Sequence, residues 1–236
     1  NWEEVEDKAQ EDLKMAVYAA QVDRMDQNIG RLTASLKAMD ILDNTIIIFL
    51  SDNGAGAVDF NDTPDAELGT RNSWAAYGHS WGNVSNTPYR YYKEYEHEGG
   101  IITPLIVHWP DGIEKKGIIS HEPIHITDIM PTVLNFANAK YPETYDNENV
   151  IPITGESFLP LLNGGKQDPN KEMYWEHIGN KAVRTGNWKL VKRHQNPWEL
   201  YDIISDPTEL NNMAQIEVEL ADSLERKWNA WAQKVG

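Results

Sequence analysis

Thr45-Ile46-Ile47-Ile48-Phe49-Leu50-Ser51-Asp52-Asn53-Gly54 is the stretch on which the reading of this chain turns. From Thr45 to Leu50 it is β-branched and apolar on both faces, so we expect a fully buried, parallel strand. Ser51-Asp52-Asn53-Gly54 then stops the strand with polar groups. The carboxyl end of a central strand is where open α/β sheets place ligands. Adjacent residues of a regular strand point to opposite faces, so Asp52 and Asn53 can share an ion only if the backbone leaves the strand there. Gly54 permits that departure. A carboxylate and an amide oxygen suit Ca²⁺ or Mg²⁺ rather than a soft metal. Calcium takes about 6–8 oxygens, more than two residues supply. The same residues also favour turns, so Asp-Asn-Gly reads as a simple stop after a strand as well.

Working outward, Val22, Met25, Ile29, Leu32, Leu36 and Met39 recur at steps of three and four, the pattern of a helix of about 25 residues. Residues 55–92 form a long excursion with little periodicity, expected to serve a site or a partner. Glu98-Gly99-Gly100 turns the chain into an apolar strand over 101–109, which Pro110-Asp111-Gly112 ends. Lys93 lies just ahead of that glycine pair and should sit near a strand end, although a lone Lys is usually a solvated surface group. Thr127 is the expected N-cap of a helix over 128–137, with Pro131 tolerated in its first turn. Beyond a loop at 140–170, short strands are expected at 173–177, 182–185, 188–193 and 200–203, with Gly186-Asn187 as a hairpin turn. A last helix carries Ile216, Leu220, Leu224, Trp231 and Val235 mostly on one face. The expected fold is α/β: part of a mixed or parallel sheet flanked by helices (1–140), then a small antiparallel sheet with a C-terminal helix (141–236).

The 236 residues are 40% hydrophobic and 25% charged, as in ordinary globular chains, and 21 Lys and Arg against 37 Asp and Glu leave a net charge of −16. So negative a surface repels phosphate backbones, which argues against nucleic-acid partners. It gives no long-range pull on heavily sulfated polymers either, though a local basic pocket can hold one small anion. The absence of Cys removes disulfides, thiolate metal sites and a thiol nucleophile together. His79, His97, His108, His121, His125, His177 and His194 show no HxxxH or HExxH spacing, so zinc is not expected. His79, in the long excursion, is within reach of a site, but a hydrogen-bonded loop or core role suits each His as well. The nine Trp and ten Tyr suit either an aromatic binding wall or packing. No apolar run is long enough to span a membrane. No basic, apolar leader opens the chain, but it starts at Asn1 rather than Met, so the compartment is not legible from that end.

Several ordered segments together resemble the type I sulfatases, a branch of the alkaline phosphatase superfamily. Residues 46–54 resemble the family's second metal-binding segment. Lys93 followed by Glu98-Gly99-Gly100 resembles its K-x4-E-G-G segment, and Thr103 to Pro110 the strand that follows. Trp81 to Arg90 is similar to the bacterial arylsulfatase branch. Thr127 to Thr132, Glu199-Leu200-Tyr201-Asp202 and Asp206 to Asn212 resemble the family's C-terminal half, so the likeness runs from about residue 12 to the end. The resemblance implies that Asp52 and Asn53 coordinate Ca²⁺, or Mg²⁺ in some relatives, and that Lys93 contacts a sulfate oxygen.

The family nucleophile is a formylglycine made in a C/S-x-P-x-R motif. Here there is no Cys, and Asn86-Thr87-Pro88-Tyr89-Arg90 puts Asn in the nucleophile's place. The paired aspartates, the Arg beside the nucleophile and the upstream Lys and His groups are expected in an N-terminal half missing from this chain. The chain is therefore expected to be inactive alone: a fragment, a proteolytic product or one half of a split enzyme. Its expected partners are a sulfate ester and the missing half, with no nucleic acid and no membrane span. The family's usual placement is periplasmic or secreted. Two alternatives stand beside this: a phosphonate or phosphate ester hydrolase of the same superfamily, and a non-catalytic sulfatase-fold binding domain.

Overall fold

A computed structural model describes residues 2–236. Helix α1 spans Lys8–Ala38, and Asp7 caps it by accepting a 2.9 Å hydrogen bond from the Gln10 N–H. The helix is 31 residues long, and none of its residues is buried. Leu32 is 55% exposed and Met25 and Val22 are exposed with it, while Ile29 and Leu36 are half-buried, so the described residues cover only part of the stripe that predicts the helix. Among the described residues no helix is long and apolar enough to cross a membrane.

Strand β1 (Ile47–Leu50) pairs only with β2 (Leu105–His108), antiparallel, from Ile47 opposite His108 to Leu50 opposite Leu105. This corrects the expectation of a parallel, fully buried strand. Phe49 is exposed and Ile106 is 58% exposed, because a two-stranded ribbon has no layers to cover both faces. β-Branched composition dictates extended backbone. It carries no information on the direction of the partner strand, which the connection sets.

One helix interrupts the stretch 55–92 read as irregular, and a helical turn replaces the start of the strand expected from 101. Helix α2 (Gly78–Asn86) escaped the periodicity reading because it carries two glycines, poor helix formers. Gly82 is needed there, since a Cβ would lie 2.7 Å from the Gly56 carbonyl oxygen. Glu98-Gly99-Gly100 is itself the single helical turn α3 (Glu98–Ile101), and the strand begins only at Leu105.

Helix α4 (Ile129–Ala137) follows a 3₁₀ turn over Ile126–Asp128; His125 caps that turn and Asp128, rather than Thr127, occupies the N-cap position of α4. The His125 ring accepts from the Thr127 N–H, while the Asp128 carboxylate accepts from the His125 N–H at 2.9 Å. Asp128, fully buried, also accepts from the Glu156 N–H and pairs with Lys171, tying three loops together.

The hairpin β3 (Thr144–Tyr145) and β4 (Glu148–Asn149) and the turn α5 (Leu159–Leu162) lead to the second sheet. There β5 (Glu172–His177), β6 (Asn180–Thr185), β7 (Trp188–Lys192) and β8 (Glu199–Asp202) lie antiparallel in chain order. Helix α6 (Val218–Val235) covers one face. Period-2 alternation sends Val183, Leu190 and Leu200 to that face, where Leu224 and Trp228 meet them. Ile216 and Val235, read as part of the stripe, are 69% and 57% exposed, and Trp228 fills the centre instead. Ala182, Val191 and Tyr201 point the other way, toward the chain that carries residues 90–98. The α/β organisation with a small antiparallel sheet and a C-terminal helix is as expected.

Since Leu224 is 1% exposed at the centre of the α6 contact, Leu224→Ala should cost about 2–5 kcal/mol. Urea unfolding would show a lower midpoint; a shift equivalent to less than about 1 kcal/mol would mean that this helix does not anchor the sheet.

Candidate active site

Three glycines bring distant loops into backbone contact. A Cβ on Gly54 would sit 1.9 Å from the Gly99 oxygen, one on Gly99 2.3 Å from the Arg90 oxygen, and one on Gly100 1.8 Å from the Tyr95 oxygen. No side chain fits at those separations, so the end of β1, the 90–95 loop and α3 press together through bare backbone. The Gly54 N–H donates to the Gly100 carbonyl at 2.8 Å and the Lys93 N–H to the Ala55 carbonyl at 3.0 Å. Asn86 closes the arrangement: its Oδ1 accepts from the Ala55 N–H at 2.9 Å, and its Nδ2 donates to the Tyr91 carbonyl at 3.2 Å. Asn86 thus works as a clamp between the two loops.

Asp52, Asn53 and Lys93 all line one cleft of about 1310 Å³, whose walls include Tyr89, Tyr95, Glu96, His125 and Trp175. Asp52 also borders a smaller cavity of about 470 Å³ beside Met25 and Phe49. The Asn53 Nδ2 donates to the Gly54 carbonyl at 2.8 Å, which leaves Oδ1 without a hydrogen bond among the described residues. Ser51 and Thr103 hold the turn by donating to the Asn53 and Ser51 carbonyls at 2.8 and 2.9 Å. Asp52 and Lys93 are exposed, and neither side chain has a hydrogen bond or ion pair among the described residues. His79 packs against Tyr92 with ring centroids 5.8 Å apart and lines neither cavity.

The backbone around Lys93 is held firmly although its ammonium is free. Tyr91 (φ 62°) and Glu94 (φ 89°) flank it in the left-handed region. Such residues cost of order 1–3 kcal/mol each and persist where surrounding bonds over-determine them. Here those bonds are the Asn86 clamp on Tyr91 and a 2.6 Å hydrogen bond from Asn180 Nδ2 to the Glu94 carbonyl.

Beneath this loop lie charges that the sequence reading did not find. Lys189 is fully buried, with Nζ 2.7 Å from Glu98 Oε1 and 2.9 Å from Glu209 Oε1. The Glu98 N–H donates to Glu209 Oε2 at 2.8 Å. Burial alone would lower the Lys189 pKa, but attraction to the two carboxylates outweighs it and the net shift is upward. Beside it, His97 Nε2 lies 3.2 Å from Glu199 Oε2, the Tyr201 hydroxyl donates to the same oxygen at 2.6 Å, and Arg90 approaches it at 3.3 Å. The His97 hydrogen bond foremost, with Tyr201 and Arg90 and against the opposing effect of burial, holds the Glu199 carboxyl down at about 2. The only sequence signal for this network is that Glu98, Glu199, Tyr201 and Glu209 fall inside ordered motifs; the pairings of Glu98 with Lys189 and of His97 and Arg90 with Glu199 span 91 to 109 residues.

Residues 2–139 match the Sulfatase family, and residues 88–233 match the family of N-sulphoglucosamine sulphohydrolase, C-terminal. The chain belongs to the sulfatases. It is 33% identical to an uncharacterized sulfatase of Schizosaccharomyces pombe across 100% of its own length and 47% of the relative's. It is also 33% identical to the arylsulfatase of Klebsiella aerogenes, over 62% of this chain and 34% of that one. Among solved structures, Ps i-CgsB in complex with k-i-k-neocarrahexaose superposes with a TM-score of 0.69 at 26% identity, covering 91% of this chain and 42% of that chain. A protein solved with its substrate D-glucosamine-2-N,6-O-disulfate gives 0.58 at 28% identity, covering 92% and 39%. The sulfatase chain thus spans less than half the length of these relatives.

Removing one member of the buried triad leaves like charges facing each other. Lys189→Met should destabilise by about 3–5 kcal/mol, read as a lower urea midpoint; a loss below about 1 kcal/mol would deny the triad its role. Glu199, depressed from 4.5 to about 2, contributes stability that is complete above its ordinary value and is lost as pH falls toward 2. Glu199→Gln should therefore lower stability at pH 6 and narrow the difference between pH 6 and pH 3.

Proposed function

We propose that this chain is part of a sulfuric ester hydrolase, in which Lys93 holds a sulfate oxygen and Asp52 and Asn53 supply oxygen donors to a Ca²⁺ or Mg²⁺ ion. The observation that carries the reading is the opening of an unpaired ammonium, an unpaired carboxylate and a free amide oxygen on one cleft. These donors suit a hard cation in kind. They fall short in number: among the described residues no three His, Cys, Asp or Glu gather in a way that could hold a metal. The other donors would come from the rest of the protein.

A bound divalent cation would act as a Lewis acid on the sulfuryl oxygens. Lys93 places a fixed positive charge where negative charge concentrates during transfer, and its rigid backbone leaves only the side chain to be ordered on binding. Asp52 and Asn53 orient the ion from one side. The chain carries no C/S-x-P-x-R segment from which a formylglycine could be made, and Asn86 of its nearest look-alike has its amide engaged with backbone, so the chain by itself is proposed to be inactive. The exposed apolar faces of α1 and the β1–β2 ribbon are the surfaces on which the remaining half of the protein would pack.

In the complete protein, Lys93→Ala should cut kcat for 4-nitrophenyl sulfate by two or more orders of magnitude, with the unfolding midpoint unchanged because Lys93 is exposed and unpaired. Near-normal turnover would remove Lys93 from the site. A matched phosphate ester hydrolysed faster than the sulfate would favour a phosphohydrolase.

A further inference from the structure

Four carboxylates are buried among the described residues: Glu96, Glu98, Asp128 and Glu209. Glu98 and Glu209 share Lys189, and Asp128 holds Lys171 together with two backbone N–H groups. Glu96 differs. It is 5% exposed and lines the cleft that Lys93, Asp52 and Asn53 line, yet its carboxyl has no hydrogen bond or ion pair with any described residue.

A buried polar group without a partner is costly, and a carboxylate more so than a neutral group. Burial pushes the Glu96 carboxyl up to about 7, with Lys189 pulling it down and Glu176 adding a smaller upward push. Such a group is poised to receive hydrogen-bond donors from whatever enters the cleft. A sulfate offers none and would be repelled, so Glu96 suits the alcohol portion of an ester whose sulfate lies at Lys93 rather than the sulfate itself. Three residues of chain span at most about 10 Å, the scale of one sulfated monosaccharide. An aromatic alcohol presents no donor there, whereas a sugar presents several hydroxyls.

We propose that Glu96 is a specificity-determining residue of the sulfatase site, accepting hydrogen bonds from the hydroxyl groups of a sugar whose sulfate is held by Lys93. This rests on the sulfatase reading above and adds its substrate class: carbohydrate sulfates rather than simple aryl sulfates. A site built to bond hydroxyls discriminates strongly against ligands that lack them, because the buried group is then left unpaired.

The test uses the complete protein, wild type, Glu96→Ala and Glu96→Gln, on a panel of monosulfated hexoses and N-acetylhexosamines and on 4-nitrophenyl sulfate. Wild type should prefer at least one sugar sulfate, and Glu96→Ala should lower the ratio of kcat/KM for that sugar over 4-nitrophenyl sulfate by about 10- to 100-fold. Glu96→Gln keeps the side-chain volume and should recover part of the ratio; it decides the matter if the alanine variant fails to fold. An unchanged ratio, or equal losses on both substrates, would make Glu96 a structural residue and overturn the proposal. Hydrolysis of 4-nitrophenyl sulfate without any sugar sulfate would overturn it too and leave the sulfatase reading intact. Hydrolysis of neither would overturn the sulfatase reading itself.

Discussion

An ammonium sealed between two carboxylates joins the parts of this chain that carry its motifs. Lys189 comes from the middle of the small sheet, Glu98 from the helical turn under the cleft, and Glu209 from the loop after the last strand. Each is fully or almost fully buried, so none can be satisfied by water in place of the others. Buried ion pairs are weak evidence for stability in themselves. Their effect here is geometric: the one backbone conformation of the Glu-Gly-Gly turn that satisfies Lys189 also carries Gly99 and Gly100 against Arg90 and Tyr95.

From that constraint the cleft follows by contact. Gly100 receives the Gly54 N–H, which fixes the chain immediately after Asp52 and Asn53. The 90–95 loop is caught between α3, Asn86 and the tip of the small sheet at Asn180, and it accepts two left-handed residues as a result. Arg90, His97, Glu199 and Tyr201 form a second, parallel tie between the same two regions. The side chains of the candidate site project from this frame. Asp52 and Lys93 are unpaired among the described residues, while Lys189, Glu199 and Asp128 behind them each hold at least two partners.

Much of this was legible in the sequence, for identifiable reasons. The four strands of the small sheet announce themselves by alternation, and the hairpin at Gly186-Asn187 by turn chemistry. Asp52, Asn53 and Lys93 stood out because polar groups at strand ends are conspicuous beside apolar runs. Helix α2 was invisible because its glycines serve close packing rather than helix formation. The partner and direction of β1 were misread because the run Ile46 to Leu50 encodes a strand with two apolar faces, whatever covers them. Lys189 was read only as one residue of a strand, since its two partners are fixed by folding and not by spacing.

The sequence separation within the triad also bears on how the protein is made. Glu98 and Lys189 lie 91 residues apart. Bacterial and eukaryotic ribosomes add roughly 5–20 residues each second. The nascent Glu-Gly-Gly turn therefore leaves the ribosome some seconds before its counter-ion exists, and Glu209 follows later still. The 90–95 loop can thus be tied to the small sheet only when that sheet has emerged, so a late-made part of the chain sets the moment at which the loop is fixed.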